Sequence, residues 1–405
     1  MSLSFQNEFS KLPPLTRGTE RINLISEMLN EHPEWRAEAE KKMNNILAGM
    51  ISKNASDLDF GGFGSKNMVW MRVHGNKYPV PDMGRFRYDE MSAFILSVLT
   101  VRQLDQLMIS QNTDFAYQLT HEGQLYRFRA DAYMDFDQLA INFRFINPVA
   151  FHYRELGFPN KIIEKFDLAF EKKGLILVTG LTGCGKSTTL DSIISMNNHK
   201  NSGHIVIIGN PVEHVHQSDK CIIRHREVGR DTISFKEGSI EALRQDPDII
   251  VIGEMRDPET MMTALEITDS GHKVFSTLHT ASAVESIHRI VAEVPVNEQA
   301  RVRNRLADVL SVVVSQKLVP ALNGKRVLAK EILNVTSYVA AAINNDNISE
   351  IYQMISEGKE SGMISLEQDL FRLFMNKVIS KETAISYANN KKRLFDLLNY
   401  YRHKM

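Results

Sequence analysis

Two kinds of hydrophobic pattern divide this chain of 405 residues. In residues 57–145, apolar and polar residues alternate over the short segments MVWMRVHG, FAYQLTHEG, LYRFRADAY and LAINFRFI. This alternation predicts strands, with turns at Gly75 and at residues 122–123. Residues 88–108 instead place apolar side chains at helical spacing. Together these patterns predict a small α+β domain.

The following stretch has a different pattern. The segments GLILVTG, HIVIIG, DIIVIGE and HKVFSTLH are almost continuously apolar and are separated by helical patterns. Strands that are buried on both faces have this composition, so we expect a mostly parallel sheet flanked by helices, that is, an α/β fold. Residues 298–318 predict one long amphipathic helix. The pattern from Ser337 to the C-terminus is helical and poor in glycine.

These patterns predict four parts of the chain. Residues 1–50 form a helical appendage, residues 51–150 the α+β domain, residues 151–335 the α/β domain, and residues 336–405 a C-terminal helical domain. The segment 147–159 has the Asn, Pro and Gly content of a linker. A chain of this length can bury cores large enough to fold without disulfides or metals.

Composition excludes several classes of protein. The formal net charge is -1, so the basic excess typical of many nucleic-acid-binding proteins is missing, and we expect no nucleic-acid partner. The two cysteines, Cys184 and Cys221, form no CxxC pair, and we expect both to be reduced. We find no signal peptide and no run of eighteen apolar residues, so we expect a cytoplasmic protein without a membrane span.

A phosphate-binding motif lies between a predicted strand and a predicted helix. Residues 180–187, GLTGCGKS, fit the pattern G-x-x-x-x-G-K-[ST]. The glycines let backbone N–H groups surround the phosphates of a nucleotide, Lys186 reaches the β- and γ-phosphate oxygens, and Ser187 supplies a magnesium ligand. The alternative is a glycine turn that binds no nucleotide, but the strand-loop-helix context favours a P-loop.

An acidic residue follows a second buried strand. Residues 248–254, DIIVIGE, end in Glu254, whose carboxylate we expect at the C-terminal edge of the sheet beside the phosphate loop. There it can hold Mg²⁺ or polarise the attacking water. The alternative is an acid that caps the next helix.

Several motifs together resemble one family. The runs DPDIIVIGEMRD at 246–257 and GHKVFSTLHT at 271–280 are similar to the Walker B segment and the histidine box of the type II/type IV secretion ATPase superfamily. Residues 221–232, which contain REVGRDT, and the strings ASDL at 55–58 and RVHG at 72–75 resemble its PilT-like branch of type IV pilus retraction ATPases. The resemblance covers roughly residues 55 to 390.

The resemblance implies an architecture and a function. The family has a PAS-like N-terminal domain joined to a RecA-like ATPase domain, assembled as a homohexamer that binds ATP and Mg²⁺ between subunits. Its retraction branch couples ATP hydrolysis to pilus retraction in twitching motility. The ring works in the cytoplasm, peripheral to the membrane, against an inner-membrane pilus platform protein.

The resemblance also assigns roles to residues. Glu254 would be the Walker B acid and, with Ser187, a magnesium ligand. His272 and His279 would face the γ-phosphate, although a single histidine is more often a surface or core residue. The phosphate-binding residues would be Gly180, Thr182, Gly183, Cys184, Gly185, Lys186, Ser187 and Thr188. The arginines Arg127, Arg129 and Arg144 would reach the neighbouring subunit's nucleotide, or else are exposed strand residues.

One missing module favours the retraction branch, whereas two departures from the family pattern keep other functions open. No cysteine follows Cys221, so the four-cysteine zinc module of assembly and secretion motors is missing, which favours the retraction branch. Residues 342–350 lack the arginines of that branch's AIRNLIRE-like motif. In the acidic box, Gly209 and Asn210 replace a Glu-Asp pair, and Glu213 remains as a possible catalytic acid. The alternatives are a secretion or conjugation ATPase, or a weakly hydrolysing companion subunit of such a ring.

Overall fold

A computed structural model describes residues 3–146 and 151–402 of the chain. The chain divides into two compact units, Met1–Pro148 and Val149–Met405. Part of the predicted linker, residues 147–150, lies outside the described residues, and the rest includes a 3-10 helix at Tyr153–Leu156. In the described part of the chain, every helix is too short or too polar to cross a membrane.

The first unit contains a six-stranded sheet in the order β3-β2-β1-β6-β5-β4. All neighbouring strands are antiparallel. Both predicted turns form, at residues 74–75 and 122–123, where four positive φ angles between 49° and 86° give the left-handed backbone of tight hairpins. The strands are β1 (Asp57–Gly61), β2 (Trp70–Val73), β3 (Asn76–Pro79), β4 (Asn112–His121), β5 (Gln124–Asp135) and β6 (Gln138–Ile146).

Five helices pack in this unit: α1 (Gln6–Phe9), α2 (Gly18–Glu31), α3 (Pro33–Ser52), α4 (Tyr88–Ser97) and α5 (Val101–Ser110). Ile25 of α2 and Met43 of α3 belong to the same buried cluster as Phe94 of α4 and Phe143 of β6. Helices α1 to α3, which lie in the segment expected to be an appendage, therefore contribute to the core of the first unit. Their apolar faces need the sheet and α4 to be covered.

The second unit is built on a seven-stranded sheet in the order β13-β12-β7-β11-β10-β8-β9. Its strands are parallel except for β13, which is antiparallel to β12. The predicted α/β fold with a mostly parallel sheet is thus confirmed. The strands are β7 (Gly174–Thr179), β8 (Gly203–Gly209), β9 (Cys221–Glu227), β10 (Ile249–Ile252), β11 (Lys273–Leu278), β12 (Leu310–Pro320) and β13 (Arg326–Asn334).

The prediction of one helix over residues 298–318 is only partly correct. Helix α11 ends at Val309, and Leu310 begins β12. The run LSVVV is rich in β-branched residues and lies between β7 and β13, where it is buried on both faces. An unbroken apolar run satisfies the periodicity of a helix as well as that of a strand. Pairing with β7 therefore decides between the two.

The remaining helices flank the sheet or follow it. Helices α12 and α13 share a buried cluster with the parallel strands, whereas α14 to α16 pack with β12 and β13. The predicted C-terminal helical segment belongs to the second unit. The helices are α6 (Asn160–Phe166), α7 (Lys186–Lys200), α8 (Phe235–Ala242), α9 (Pro258–Asp269), α10 (Ala283–Ala292), α11 (Val296–Val309), α12 (Ser337–Asn344), α13 (Ile348–Glu357), α14 (Leu366–Met375), α15 (Lys381–Tyr387) and α16 (Lys391–Arg402).

Candidate functional site

The phosphate loop joins the end of β7 to the start of α7. At Gly180, φ is 144°, and a Cβ built there would lie 2.4 Å from the Cys184 sulfur and 2.5 Å from the Gln316 carbonyl oxygen. Only glycine fits at this position. Gly183 and Gly185 also have positive φ angles, 79° and 90°. The loop therefore turns tightly and leads into the N-terminus of a 15-residue helix, which favours anion binding.

Lys186 lies across this loop. Its ammonium group donates hydrogen bonds to the carbonyl oxygens of Gly180 at 2.8 Å and Leu181 at 3.3 Å. Burial lowers the pKa of Lys186, while the charges of Cys184, Glu254 and Glu213 act in the opposite direction. The lysine is therefore a partly desolvated cation, and a phosphate group beside it would favour its charged form.

Glu254 follows β10 at the same edge of the sheet. Backbone bonds from Gly253 to Ile208 and from Met255 to Thr277 continue the strand pairing around it. One carboxylate oxygen lies 2.6 Å from the Arg256 guanidinium, and the other lies 3.6 Å from the His279 Nε2. The side chain is only 14% exposed. The predicted position of Glu254 at the C-terminal edge of the sheet is therefore confirmed.

His279 follows β11 directly. Burial lowers the pKa of its imidazole, the charge of Lys186 lowers it further, and the charge of Glu254 opposes this effect. These effects lower the pKa of His279 from its ordinary value of about 6.5 and so favour the neutral ring while no phosphate lies beside it. A neutral ring can donate a hydrogen bond to a phosphate without adding a second cation beside Lys186.

His272 lies at the other end of β11. It precedes Lys273, which pairs with Gly174 at the start of β7, whereas the phosphate loop follows the end of β7. The His272 ring contacts the Ser270 hydroxyl at 3.0 Å. The two histidines are seven residue steps apart along the strand, which corresponds to roughly 23 Å at about 3.3 Å per residue. The expectation that both face one γ-phosphate is therefore corrected: within one chain, only His279 lies at the phosphate-loop edge.

The altered acidic box lies at the end of β8. Gly209 is the last residue of the strand, and the Asn210 side chain is exposed. A Cβ built on Gly209 would lie 3.1 Å from the Val212 Cα and 3.2 Å from the Pro211 carbonyl oxygen, so any side chain would crowd that backbone. The negative charge of Glu213 acts to raise the pKa of Lys186. The later acid of the box therefore lies in the electrostatic neighbourhood of the phosphate loop.

The three arginines all lie in the first unit. Arg129 on β5 and Arg144 on β6 are register partners, and Arg127 is buried two residues before Arg129. The Arg144 Nε donates to Asp57 at 2.9 Å, and Arg129 lies 3.6 Å from Asp114. Each of these two guanidinium groups therefore already has a carboxylate beside it.

A buried polar side chain that no motif indicated also contacts the phosphate loop. Gln316 on β12 donates from Nε2 to the Cys184 carbonyl oxygen and accepts from the Thr189 hydroxyl, both at 3.0 Å. The signal in the sequence is the polar pair Ser315-Gln316 inside the apolar run VVVSQKLV. A polar pair in a strand expected to be buried indicates specific hydrogen bonding.

The chain's own donors suit a metal ion that arrives with a nucleotide. In residues 3–146 and 151–402, no group of three or more His, Cys, Asp or Glu side chains could hold a metal by itself. The Ser187 hydroxyl is exposed at the start of α7, and Glu254 ends at the same sheet edge. Mg²⁺ commonly takes one or two protein oxygens together with substrate phosphates, so this donor set fits it.

Comparison with known proteins gives consistent matches. Residues 34–391 match the family described as Type II/IV secretion system protein. The type IV pilus retractation ATPase PilT of Pseudomonas aeruginosa is 36% identical over 342 residues, covering 84% of this chain and 96% of the relative. The type IV pilus ATPase PilU of the same organism is 32% identical over 350 residues, covering 86% and 89%.

Two solved structures are also similar. The pilus retraction motor PilT with bound ADP has a TM-score of 0.78 and 34% identity, covering 87% of this chain and 98% of that one. The ATPase DotB of Legionella pneumophila has a TM-score of 0.69 and 25% identity, covering 85% and 94%.

Proposed function

The chain belongs to the family of type II/IV secretion system proteins, which are ATP-hydrolysing P-loop enzymes, and we propose that it is a motor for type IV pilus retraction. One observation carries this proposal: the phosphate loop, Glu254 and His279 meet at one edge of the parallel sheet. The similarity to PilT extends over most of both chains.

The geometry gives each residue a task in ATP hydrolysis. The backbone N–H groups of the loop and the Lys186 ammonium bind the phosphates, and Lys186 exchanges its carbonyl partners for phosphate oxygens. Ser187 and Glu254 would hold a Mg²⁺ that arrives with the nucleotide, and the ion would neutralise phosphate charge. His279, which follows β11 at the same edge of the sheet, hydrogen-bonds the γ-phosphate.

A carboxylate is also needed to orient the attacking water, because Gly209 and Asn210 cannot accept its proton. We assign this task to Glu254, whose carboxylate is held between Arg256 and His279. Glu213 lies in the same electrostatic neighbourhood and is the second candidate. A positioned general base contributes roughly 10²- to 10⁴-fold in rate.

The motor acts as a homohexamer with ATP between subunits. Arg127, Arg129 and Arg144 belong to the unit that lacks the phosphate loop, and arginines of this kind stabilise a neighbour's phosphate charge. The ring lies in the cytoplasm, docked on an inner-membrane pilus platform protein. Nucleic acid is no partner, in line with the net charge of -1.

Phosphate release by the purified full-length protein with Mg²⁺-ATP tests this function. We expect Glu254→Gln to bind ATP and to hydrolyse it at least about 100-fold more slowly, since the amide keeps the shape but loses the charge. Glu259→Gln is the matched control, because Glu259 is an exposed acid of α9 whose ion pair with Lys236 is at the surface. Equal turnover in the Glu254 and Glu259 variants would contradict the proposed site.

The altered acidic box favours a second candidate function. A chain with Gly209 and Asn210 in place of two acids could bind ATP and hydrolyse it weakly as a companion subunit in such a ring. Tight ATP binding with negligible phosphate release by the wild-type protein would support this candidate over the motor. An ATPase of a secretion or conjugation system remains the alternative within the family, in line with the family's description as Type II/IV secretion system protein.

A further inference from the structure

Gln316 is a buried amide in the strand beside the phosphate loop. It is only 2% exposed. Strand β12 runs parallel to β7, with Ser315 opposite Thr179. Gln316 is the next residue and therefore lies beside Gly180, where β7 ends and the loop begins. Its own carbonyl oxygen is the atom that a Cβ on Gly180 would approach within 2.5 Å.

Both ends of the Gln316 side chain are hydrogen-bonded. The Cys184 carbonyl can only accept a hydrogen bond, so the amide NH₂ must face it, and this leaves Oε1 to accept from the Thr189 hydroxyl. Thr189 lies in the first turn of α7. Gln316 therefore connects the strand, the middle of the loop and the helix that the loop begins. Leaving such a buried amide unpaired would be costly, so this orientation is held.

This contact determines the direction of one peptide group of the loop. In a planar trans peptide the carbonyl and the N–H point in opposite directions. Because the Cys184 carbonyl points at Gln316, the Gly185 N–H points away from β12. A free peptide at Gly185 could rotate easily, since glycine has no side chain to restrict it. The Gln316 amide removes this freedom before any nucleotide binds.

We propose that Gln316 is a positioning residue of the nucleotide site. It holds the Cys184-Gly185 peptide in the orientation in which the Gly185 N–H can bind a phosphate oxygen, and it touches no nucleotide itself. This inference rests on the proposed ATPase function and deepens it. Preorganising a binding loop raises affinity because less order is lost on binding.

Four variants of the full-length protein separate this role from general stability. Gln316→Met keeps the length and loses both hydrogen bonds, whereas Gln316→Glu keeps the acceptor for Thr189 and cannot donate to Cys184 when ionised. Thr189→Val removes the anchor of Gln316 without changing β12. Thr189→Ser keeps the hydroxyl and is the conservative rescue.

The matched control is Ser315→Ala. The Ser315 and Thr179 hydroxyls lie 2.8 Å apart in a buried hydrogen bond between the same two strands. Ser315 and Gln316 are consecutive and so project to opposite faces of the sheet. The control therefore removes a buried hydrogen bond of the same kind without changing the side chain that contacts the loop.

Titration calorimetry with Mg²⁺-ADP, together with the thermal midpoint without nucleotide, gives the test. We expect both Gln316 variants to raise the Kd about tenfold or more, Thr189→Val to raise it less, and Thr189→Ser and Ser315→Ala to change it less than about twofold. An unchanged Kd in Gln316→Met would overturn this inference but not the proposed function. An equal loss of affinity in Ser315→Ala would do the same. Failure of the wild-type protein to bind ADP or ATP would overturn the proposed function as well.

Discussion

Glu331 is an acid in the core of the second unit, and its ionisation should make stability depend on pH. It lies on β13, is 2% exposed, and accepts a hydrogen bond at 2.8 Å from the backbone N–H of Ala283, the first residue of α10. Burial raises its pKa to about 7. The Ala283 bond and Lys317 act to lower the pKa, and Glu367 acts to raise it.

The direction of this pH dependence follows from proton binding. In the unfolded chain the carboxyl titrates near its ordinary pKa of 4.5, whereas in the folded protein it titrates at about 7. Between these values the folded state holds a proton that the unfolded state has lost. The free energy of unfolding therefore falls as the pH rises from about 4.5 to 7 and stays reduced above that range. At about 1.4 kcal/mol per pKa unit, the reduction is on the order of 3 kcal/mol.

The variant Glu331→Gln should remove this penalty, because its amide oxygen still accepts from Ala283 and does not ionise. At pH 8 we expect a gain of about 1 to 3 kcal/mol, which corresponds to several degrees in the Tm of a unit of this size. At pH 4.5 we expect no gain. The exposed acid Glu350 of α13 provides the control, and Glu350→Gln should change the Tm little at either pH.

Thermal unfolding of the nucleotide-free protein, followed by circular dichroism at pH 4.5, 6 and 8, measures this effect. The gain from Glu331→Gln should grow across the series and level off above pH 7. An equal gain at all three pH values would show that the amide packs better and that ionisation has no part. A loss of stability at pH 8 would refute the reasoning, since it would mean that the carboxylate is the favoured form in the folded protein.

Three further predictions concern the nucleotide site and the first unit. Lys186→Ala should abolish tight ATP binding, because no other loop residue supplies a cation; wild-type affinity in a calorimetric titration would refute the assignment. Asn210→Asp should raise kcat about tenfold or more by restoring an acid, and Asn210→Ala, its control, should not; equal rates of phosphate release would show that the altered box does not limit turnover. This single change is preferable to one that adds Gly209→Glu, because a side chain at 209 would crowd the Pro211-Val212 backbone. Deleting residues 1–50 should remove the thermal transition of the first unit, because α2 and α3 help to form its core. ATP binding by the second unit should persist. A truncated chain with the same thermal unfolding curve as the full-length chain would contradict this packing.

The local features of this protein could be predicted from its sequence. The phosphate loop was recognised from eight consecutive residues, since glycines with positive φ and a following lysine act within one turn of backbone. The position of Glu254 followed from an apolar strand that ends in an acid. The short continuous apolar segments correctly predicted a mostly parallel sheet, because strands covered on both faces have that composition.

Other features depend on contacts between residues far apart in the chain. The helix α11 changes to strand β12 at Leu310 because β7 and β13 pair with the run LSVVV, and periodicity alone favoured a longer helix. The first three helices join the first core because their apolar residues share one buried cluster with Phe94 and Phe143. Neither outcome is encoded in a short window of sequence.

The same distinction applies within the site. The sequence placed His272 and His279 in one motif, but strand β11 runs between them and carries them to opposite edges of the sheet. Gln316 belongs to no motif, and only the parallel pairing of β12 with β7 brings its amide to the Cys184 carbonyl and the Thr189 hydroxyl. The sequence by itself therefore determined the chemistry of the phosphate loop. The tertiary structure decided which distant side chains hold that loop, because those hydrogen bonds form only after the strands have paired.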